Sequence, residues 1–104
     1  MYARATTIQV SPELIDEAIS RIQSVVAPVT RQQPGYHDLV LLVDRRSGKC
    51  LMISLWETSR ERQATGATSA YLQRQIATLG DLLTMTPVVE DYDAILAGGR
   101  ERQV

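Results

Sequence analysis

Two apolar runs in the middle of the chain carry its clearest pattern. Residues 39–43 and 50–56 are apolar at nearly every position, and the polar loop at residues 45–48 lies between them. Two such runs around a short loop with a glycine near its end predict a β-hairpin over residues 34–57. A strand with one face in water would alternate apolar and polar residues. Both faces of this hairpin are therefore expected to be covered.

Alternation along the second run divides its side chains into two sets. The even-numbered positions share one face: Cys50, Met52, Ser54 and Trp56. The odd-numbered positions share the other: Leu51, Ile53 and Leu55. One set is expected to meet helices, and the other would leave a monomer with a larger apolar patch than soluble monomers usually show. The pattern therefore predicts a homodimer that forms through this face of the sheet.

A strand and a helix are predicted before the hairpin. Residues 5–10 are rich in β-branched side chains, which favour a strand. Ser11, Pro12 and Glu13 then form a typical helix start, with a capping serine, a proline at the first helical position and an acid in the first turn. Apolar residues follow at helical spacing. Pro28 is predicted to stop this helix.

A second helix and a last strand are predicted after the hairpin. Residues 58–61 match a capping box, so the helix is expected to begin near Ser59. Thr65 and Gly66 predict a kink or two helical pieces, and Gly80 is predicted to close the helix. Residues 85–96 are predicted to form a strand at an edge or with Pro87 near its start. Residues 97–104 are predicted to form a polar tail.

The predicted element order is β-α-β-β-α-β. This order is typical of a ferredoxin-like α+β fold, in which both helices cover one face of a four-stranded antiparallel sheet. Residues 1–96 are expected to form one such domain, which is reasonable for a chain of 104 residues.

Composition narrows the function classes. A net charge of −1 argues against nucleic acid, because no basic excess is present to neutralise phosphates. Cys50 is the only cysteine, which excludes an intramolecular disulfide and a multi-cysteine metal site. The longest apolar stretch is far shorter than the roughly 20 residues that span a bilayer, and no signal-peptide pattern is seen at the N-terminus. We therefore expect a cytoplasmic protein without a membrane partner.

The element order, the PGY sequence at 34–36 and the LWET sequence at 55–58 resemble the dimeric α/β-barrel superfamily. Within it, the chain is most similar to the antibiotic-biosynthesis-monooxygenase-like group, over about residues 3 to 96. The resemblance implies a dimeric α/β barrel. The group includes cofactor-independent, quinone-forming monooxygenases, haem-degrading enzymes and members without an assigned reaction, so a shared fold alone does not assign the activity.

We compare this chain, position by position, with the functional residues of the group to see which of its reactions the resemblance implies. Trp56 matches a tryptophan that lines the pocket of the monooxygenases, but Met52 stands where they have an asparagine and Arg62 where they have a tyrosine. The haem-degrading branch has an asparagine on the first strand, where this chain offers Thr6 and Thr7, and a histidine on the second helix, where it has none. Haem is therefore not expected, and neither is any other cofactor or a metal.

Five residues are candidates for binding a small aromatic ligand: Trp56, Tyr71, Met52, Thr7 and His37. Trp56 is suited to stack on a planar ring, or it closes the core. Tyr71 is suited to donate a hydrogen bond from the second helix, or it packs there. His37 is suited to act as a general base, or it is a solvent-facing or interface residue. A catalytic base is not identifiable.

Two functions remain open at this point. One is a cofactor-independent monooxygenase or related oxidoreductase that acts on a small aromatic or polyketide-like compound, which would itself supply electrons to dioxygen. The other is a non-catalytic, dimeric ligand-binding or stress-associated module of the same fold. Polar residues that converge on a cavity beside Trp56 would favour the enzyme, and a filled core would favour the module.

Overall fold

The computed structural model describes residues 1–98. Its strands are β1 (Tyr2–Gln9), β2 (Tyr36–Asp44), β3 (Lys49–Trp56) and β4 (Val88–Asp93). Along the chain, α1 (Ile15–Arg21) and α2 (Ala27–Arg31) come between β1 and β2, and α3 (Ser59–Ala64) and α4 (Ala70–Leu79) come between β3 and β4. The predicted element order is confirmed. Of the predicted tail, residues 99–104 lie outside the described residues.

The four strands form one antiparallel sheet in the order β2-β3-β1-β4, which confirms the ferredoxin-like α+β fold. The β2–β3 hairpin turns at Gly48, whose φ of +83° lies in the left-handed region. A Cβ there would also collide with the Val10 carbonyl oxygen, so the turn requires glycine. β4 is an edge strand, as predicted, but it spans only Val88–Asp93 rather than residues 85–96.

The core lies between the sheet and the helices. Its main cluster consists of Ile8, Ile22, Val26, Cys50, Met52 and Leu79. The even-numbered side chains of β3 are buried in this layer, whereas Leu51, Ile53 and Leu55 on the other face are partly exposed. The predicted division of β3 into two faces is therefore confirmed.

Pro28 does not stop the first helical region, so that prediction was wrong. The helix continues through a π turn at Ile22–Val26 into α2, which ends at Arg31. In a π turn, each N–H bonds to a carbonyl five residues back, and the Ala27 N–H bonds in this way to the Ile22 carbonyl. Pro28 follows in the first turn of α2, where the N–H that it lacks is not needed.

The second helical region begins as predicted. The Glu61 N–H donates to Thr58 Oγ1 at 3.1 Å, which caps α3. The expected interruption at residues 65–66 is confirmed, because α3 and α4 are separate helices. Gly80, however, does not close α4 in a left-handed conformation. Its φ is −52° and it begins a short 3₁₀ turn at Gly80–Leu82, which buries Leu82 in the core.

The face of the sheet that points away from the helices, which we call the outer face, is apolar and uncovered in the single chain. Its most exposed apolar side chains are Val40, Leu42, Val88 and Tyr92, each 44–53% exposed. Among the helices of residues 1–98, none combines the length and the apolar character needed to cross a bilayer.

Candidate functional site

A cavity lies between the sheet and the helices, and we call it the helix–sheet cavity. Its volume is about 20 Å³, which leaves room for roughly one water molecule. Ten residues line it: Arg4, Thr6, Val26, Thr30, Leu39, Met52, Ser54, Tyr71, Leu72 and Gln75. Six of these are polar or charged, in a layer that is otherwise apolar. Only Leu39 and Tyr71 are partly exposed, so these two side chains are the lining residues nearest to solvent, and we call them the mouth of the cavity.

Strand register builds the floor of the cavity. Arg4 of β1, Ser54 of β3 and Leu39 of β2 are paired across three neighbouring strands. Thr6 and Met52 form the next row. Because alternate residues of a strand point to the same face, both rows point at the helices.

Helices supply the remaining walls. Val26 ends the π turn and Thr30 lies one turn later in α2. α4 begins behind Ser69, whose Oγ accepts a hydrogen bond from the Leu72 N–H at 3.1 Å. This cap sets the position of the helix so that Tyr71 and Gln75, four residues apart, share the face above the cavity.

The phenol hydroxyl of Tyr71 is hydrogen-bonded to the hydroxyl of Thr30. The two hydroxyl oxygens are 2.5 Å apart, and Thr30 Oγ1 lies 2.9 Å from the Val26 carbonyl oxygen. A carbonyl can only accept, so Thr30 donates to Val26 and Tyr71 donates to Thr30. Burial raises the pKa of Tyr71, and the charge of Arg4 offsets this in part. Tyr71 is therefore a neutral phenol at neutral pH and not a base.

Gln75 is the least satisfied polar group of the cavity. Gln75 is 5% exposed as a whole, and the carbonyl oxygen Oε1 of its side chain is buried without a hydrogen-bond partner among the described residues. Buried polar groups are usually paired, and an unpaired one lowers stability.

Arg4 is buried at 2% exposure, and its guanidinium is fully used by the protein. It bonds both carboxylate oxygens of Asp91, at 3.0 and 3.2 Å, and the carbonyl oxygens of Thr65 and Arg62, each at 2.8 Å. The hydroxyl of Thr65 takes a fifth bond at 2.6 Å. Five N–H donors make five bonds, so Arg4 has none left for a ligand. It acts on the cavity through its charge alone.

Trp56 is fully buried and does not line the cavity. Its indole Nε1–H donates to Ser54 Oγ at 2.9 Å, and its ring meets Tyr36 edge-on, with 6.4 Å between the ring centres. Trp56 therefore reaches the cavity only through Ser54, which it holds in place.

Thr7 and His37 lie on the other side of the sheet. Thr7 lines an open depression of about 270 Å³ with Lys49 and Met85. His37 lines one of about 340 Å³ beside Leu55. It sits where the β2–β3 pairing shifts register, and its Nε2 is 4.0 Å from the carboxylate of Glu57. Of the five sequence candidates, the structure brings Met52 and Tyr71 together at the cavity.

Sequence reasoning missed eight of the ten lining residues, among them Arg4, Thr30 and Gln75. Gln75 had a detectable signal, because Leu72, Gln75 and Leu79 follow the spacing of a buried helix face. The other two had none, since the roles of Arg4 and Thr30 depend on partners that are distant in the chain. Arg62, which stands where the monooxygenases have a tyrosine, contacts β4 instead, through the Tyr92 carbonyl at 2.9 Å.

A sequence model of the family described as antibiotic biosynthesis monooxygenase matches residues 1–74, which is more than half of the chain. The chain therefore belongs to the antibiotic biosynthesis monooxygenase family, as the resemblance indicated.

Two relatives from Mycobacterium tuberculosis are themselves uncharacterized proteins. One is 36% identical over 93 residues, which cover 89% of this chain and 40% of the relative. The other is 33% identical over 96 residues, which cover 92% and 39%. The chain thus spans about two fifths of the length of these relatives.

Solved structures share the fold. The crystal structure of an antibiotic biosynthesis monooxygenase aligns with a TM-score of 0.69 at 23% identity, covering 92% of this chain and 100% of that chain. A monooxygenase of Streptomyces coelicolor in complex with the ligand nanaomycin D aligns with a TM-score of 0.72 at 16% identity, covering 93% and 92%. At these identities the likeness concerns the fold alone.

Proposed function

We propose that the chain is a cofactor-independent monooxygenase that oxidises a small hydroxylated aromatic compound at the helix–sheet cavity, and that it works in the cytoplasm as a homodimer. The convergence of six polar side chains on one cavity is the observation that carries this proposal. A core that only had to be stable would have an apolar side chain at position 75, because the Gln75 carbonyl oxygen is buried and unpaired among the described residues and such a group lowers stability. Membership of the monooxygenase family supports the same reaction class.

The reaction needs no electron donor besides the substrate. In the oxidation of a dihydroxynaphthalene, one ring C–H bond and one phenolic O–H bond break. One atom of dioxygen becomes a new ring carbonyl, the phenolic carbon becomes the second carbonyl of the quinone, and the other oxygen atom leaves as water with both hydrogens. The four electrons that reduce dioxygen come from the ring.

Residue roles follow from the contacts of the cavity. Tyr71 would line the mouth and orient the ring as a neutral phenol, and Met52 would offer a soft apolar wall. Arg4, held in place by Asp91, would favour the deprotonated form of the substrate through its charge, as it favours that of Tyr71. Trp56 would position Ser54. The ten lining residues include no carboxylate and no imidazole, so the substrate must itself be acidic enough to lose its proton.

The homodimer is proposed from the outer face. Leu51, Ile53 and Leu55 run along its middle, and exposed apolar side chains flank them on β2 and β4. An apolar surface of this kind is typical of an interface between copies. Thr7 and His37 would then lie at the interface, which suits them better to dimer contacts than to the cavity.

The volume of the cavity favours a second candidate function. Ligand pockets usually measure about 300–1,000 Å³, whereas the helix–sheet cavity measures about 20 Å³. A non-catalytic module of the same fold would need no larger space and no base. The enzyme requires that the side chains at the mouth, Leu39 and Tyr71, move apart when the substrate enters.

Incubation with 1,5-dihydroxynaphthalene under oxygen-18 gas distinguishes the two functions. We expect the metal-stripped protein to form 5-hydroxy-1,4-naphthoquinone that carries one oxygen-18 atom, at a rate proportional to protein concentration. Leu72→Trp fills the cavity and should abolish the reaction. Val25→Thr, on an exposed helix face, is the control and should retain it. Binding without turnover would favour the module.

A further inference from the structure

Gln75 has a side-chain amide with no task inside the fold. Its carbonyl oxygen is buried and unpartnered among the described residues, and the residue is more than nine-tenths buried. It lies between Leu72 and Leu79 on the inner face of α4, so the helix cannot turn it to solvent without exposing both leucines.

Four of the other five polar residues of the cavity make side-chain hydrogen bonds within the protein, and Thr6 makes none among the described residues. Tyr71 donates its proton to Thr30, and the five N–H groups of Arg4 are all bonded within the protein. Ser54 accepts from Trp56 but keeps its own hydroxyl hydrogen. Gln75 Oε1 is therefore the fully buried acceptor of the lining that has no partner among the described residues. A ligand atom that meets it must carry a hydrogen to donate.

We propose that Gln75 determines specificity by accepting a hydrogen bond from a hydroxyl group of the aromatic ligand. The proposal rests on the proposed function, in that it takes the helix–sheet cavity as the ligand site. The cavity has room for about one oxygen-bearing group, which matches a hydroxyl. Leu39 and Tyr71 at the mouth, with Leu72 beside them, are the groups that a ring attached to that hydroxyl would meet.

Gln75 selects through the penalty of an unpaired acceptor. A ligand with a free hydroxyl pairs Oε1, whereas the matching methyl ether has no hydrogen to donate and leaves it unpaired. A site built to bond a hydroxyl rejects an analogue that cannot donate, because the buried polar group then stays unsatisfied. Leucine at this position would remove the acceptor and with it the reason to prefer the hydroxyl.

Equilibrium dialysis with 1-naphthol and 1-methoxynaphthalene tests the proposal. The wild-type protein should bind 1-naphthol about 10-fold to 100-fold more tightly than the ether. Gln75→Leu and the unbranched Gln75→Met should reduce this preference to less than about 3-fold, mainly by binding the ether better. Both variants should melt at or above the wild-type temperature, because each removes an unpaired buried group. Gln23→Leu, at an exposed helical position, should leave the preference unchanged.

The outcomes separate this inference from the proposed function. If the wild type binds neither compound, both are overturned. If it binds both compounds equally, or if the preference survives in Gln75→Leu and Gln75→Met, the cavity remains a ligand site but Gln75 does not set its specificity. If both Gln75 variants unfold, the amide serves the fold, and the inference is overturned.

Discussion

Arg4 of β1 and Asp91 of β4 face each other across the sheet and form a two-point ion pair, with N···O distances of 3.0 and 3.2 Å. The same guanidinium bonds the chain between α3 and α4 through Thr65. One buried side chain therefore joins the edge strand, the central strand and the break between the two helices. The same residue, Arg4, also lines the helix–sheet cavity.

We expect Asp91→Ala to destabilise the fold, because it leaves two N–H groups of a buried guanidinium without partners. The loss should be about 2 kcal/mol in the free energy of unfolding. That is less than for a fully buried pair, since the Asp91 side chain is 38% exposed. Asp93→Ala is the matched control. Its carboxylate is 76% exposed and 4.0 Å from Arg62, so its loss should be within about 0.5 kcal/mol. Urea unfolding measures both losses of unfolding free energy. If Asp91→Ala and Asp93→Ala lose the same amount, the ion pair of Arg4 with Asp91 contributes no more than the exposed contact of Asp93.

Trp56 and Ser54 should be energetically coupled through their 2.9 Å hydrogen bond. Trp56→Phe keeps most of the apolar contact but removes the indole N–H, so we expect a loss of about 1–2 kcal/mol with the fold intact. Ser54→Ala should cost a similar amount in the wild type and much less in the Trp56→Phe background. A double-mutant cycle measures this coupling. Additive losses would mean that the two side chains act independently.

The outer face should hold two copies of the chain together. Ile53→Asp places a charge in the middle of the apolar row and should produce monomers or aggregates, since a standard interface buries roughly 800 Å² per partner around such a centre. Val25→Asp adds the same charge at an exposed helical position, 45% exposed, and should stay dimeric. Sedimentation at micromolar concentration gives the result. A monomeric wild-type protein would exclude the dimer.

Tyr71 should make the stability of the protein fall at alkaline pH. Burial raises its folded-state pKa above the ordinary value of 10.0, so the folded protein holds the phenol proton more tightly than the unfolded chain does. This stabilisation is fully present below pH 10 and is lost as the pH rises through the folded-state pKa. The melting temperature should therefore fall less steeply from about pH 8 to about pH 11 in Tyr71→Phe than in the wild type. If the melting temperatures of the wild type and Tyr71→Phe fall in parallel with pH, the loss of stability does not come from Tyr71.

Local patterns predicted the fold because they act over a few residues. The capping box at Thr58 and the alternation along β3 each depend on neighbours in the chain, and both were confirmed. The prediction that Pro28 stops the helix was wrong because a π turn precedes it and the missing N–H is not needed there. No local sequence rule indicates that π turn. The cavity was harder to foresee, since Arg4 and Asp91 are 87 positions apart. Only the strand order brings them together.

The three methionines give the most direct test of the helix–sheet cavity as the ligand site. Met52 lines that cavity, Met85 lines the depression at Thr7, and Met1 lines the depression at His37. With carbon-13 in the methionine methyl groups, each of these three sites has its own NMR signal, and Met52→Leu assigns the signal of the helix–sheet cavity. On titration with 1-naphthol, the Met52 signal should shift through the ring current while those of Met1 and Met85 stay in place. A shift of Met1 or Met85 with Met52 unmoved would contradict the account.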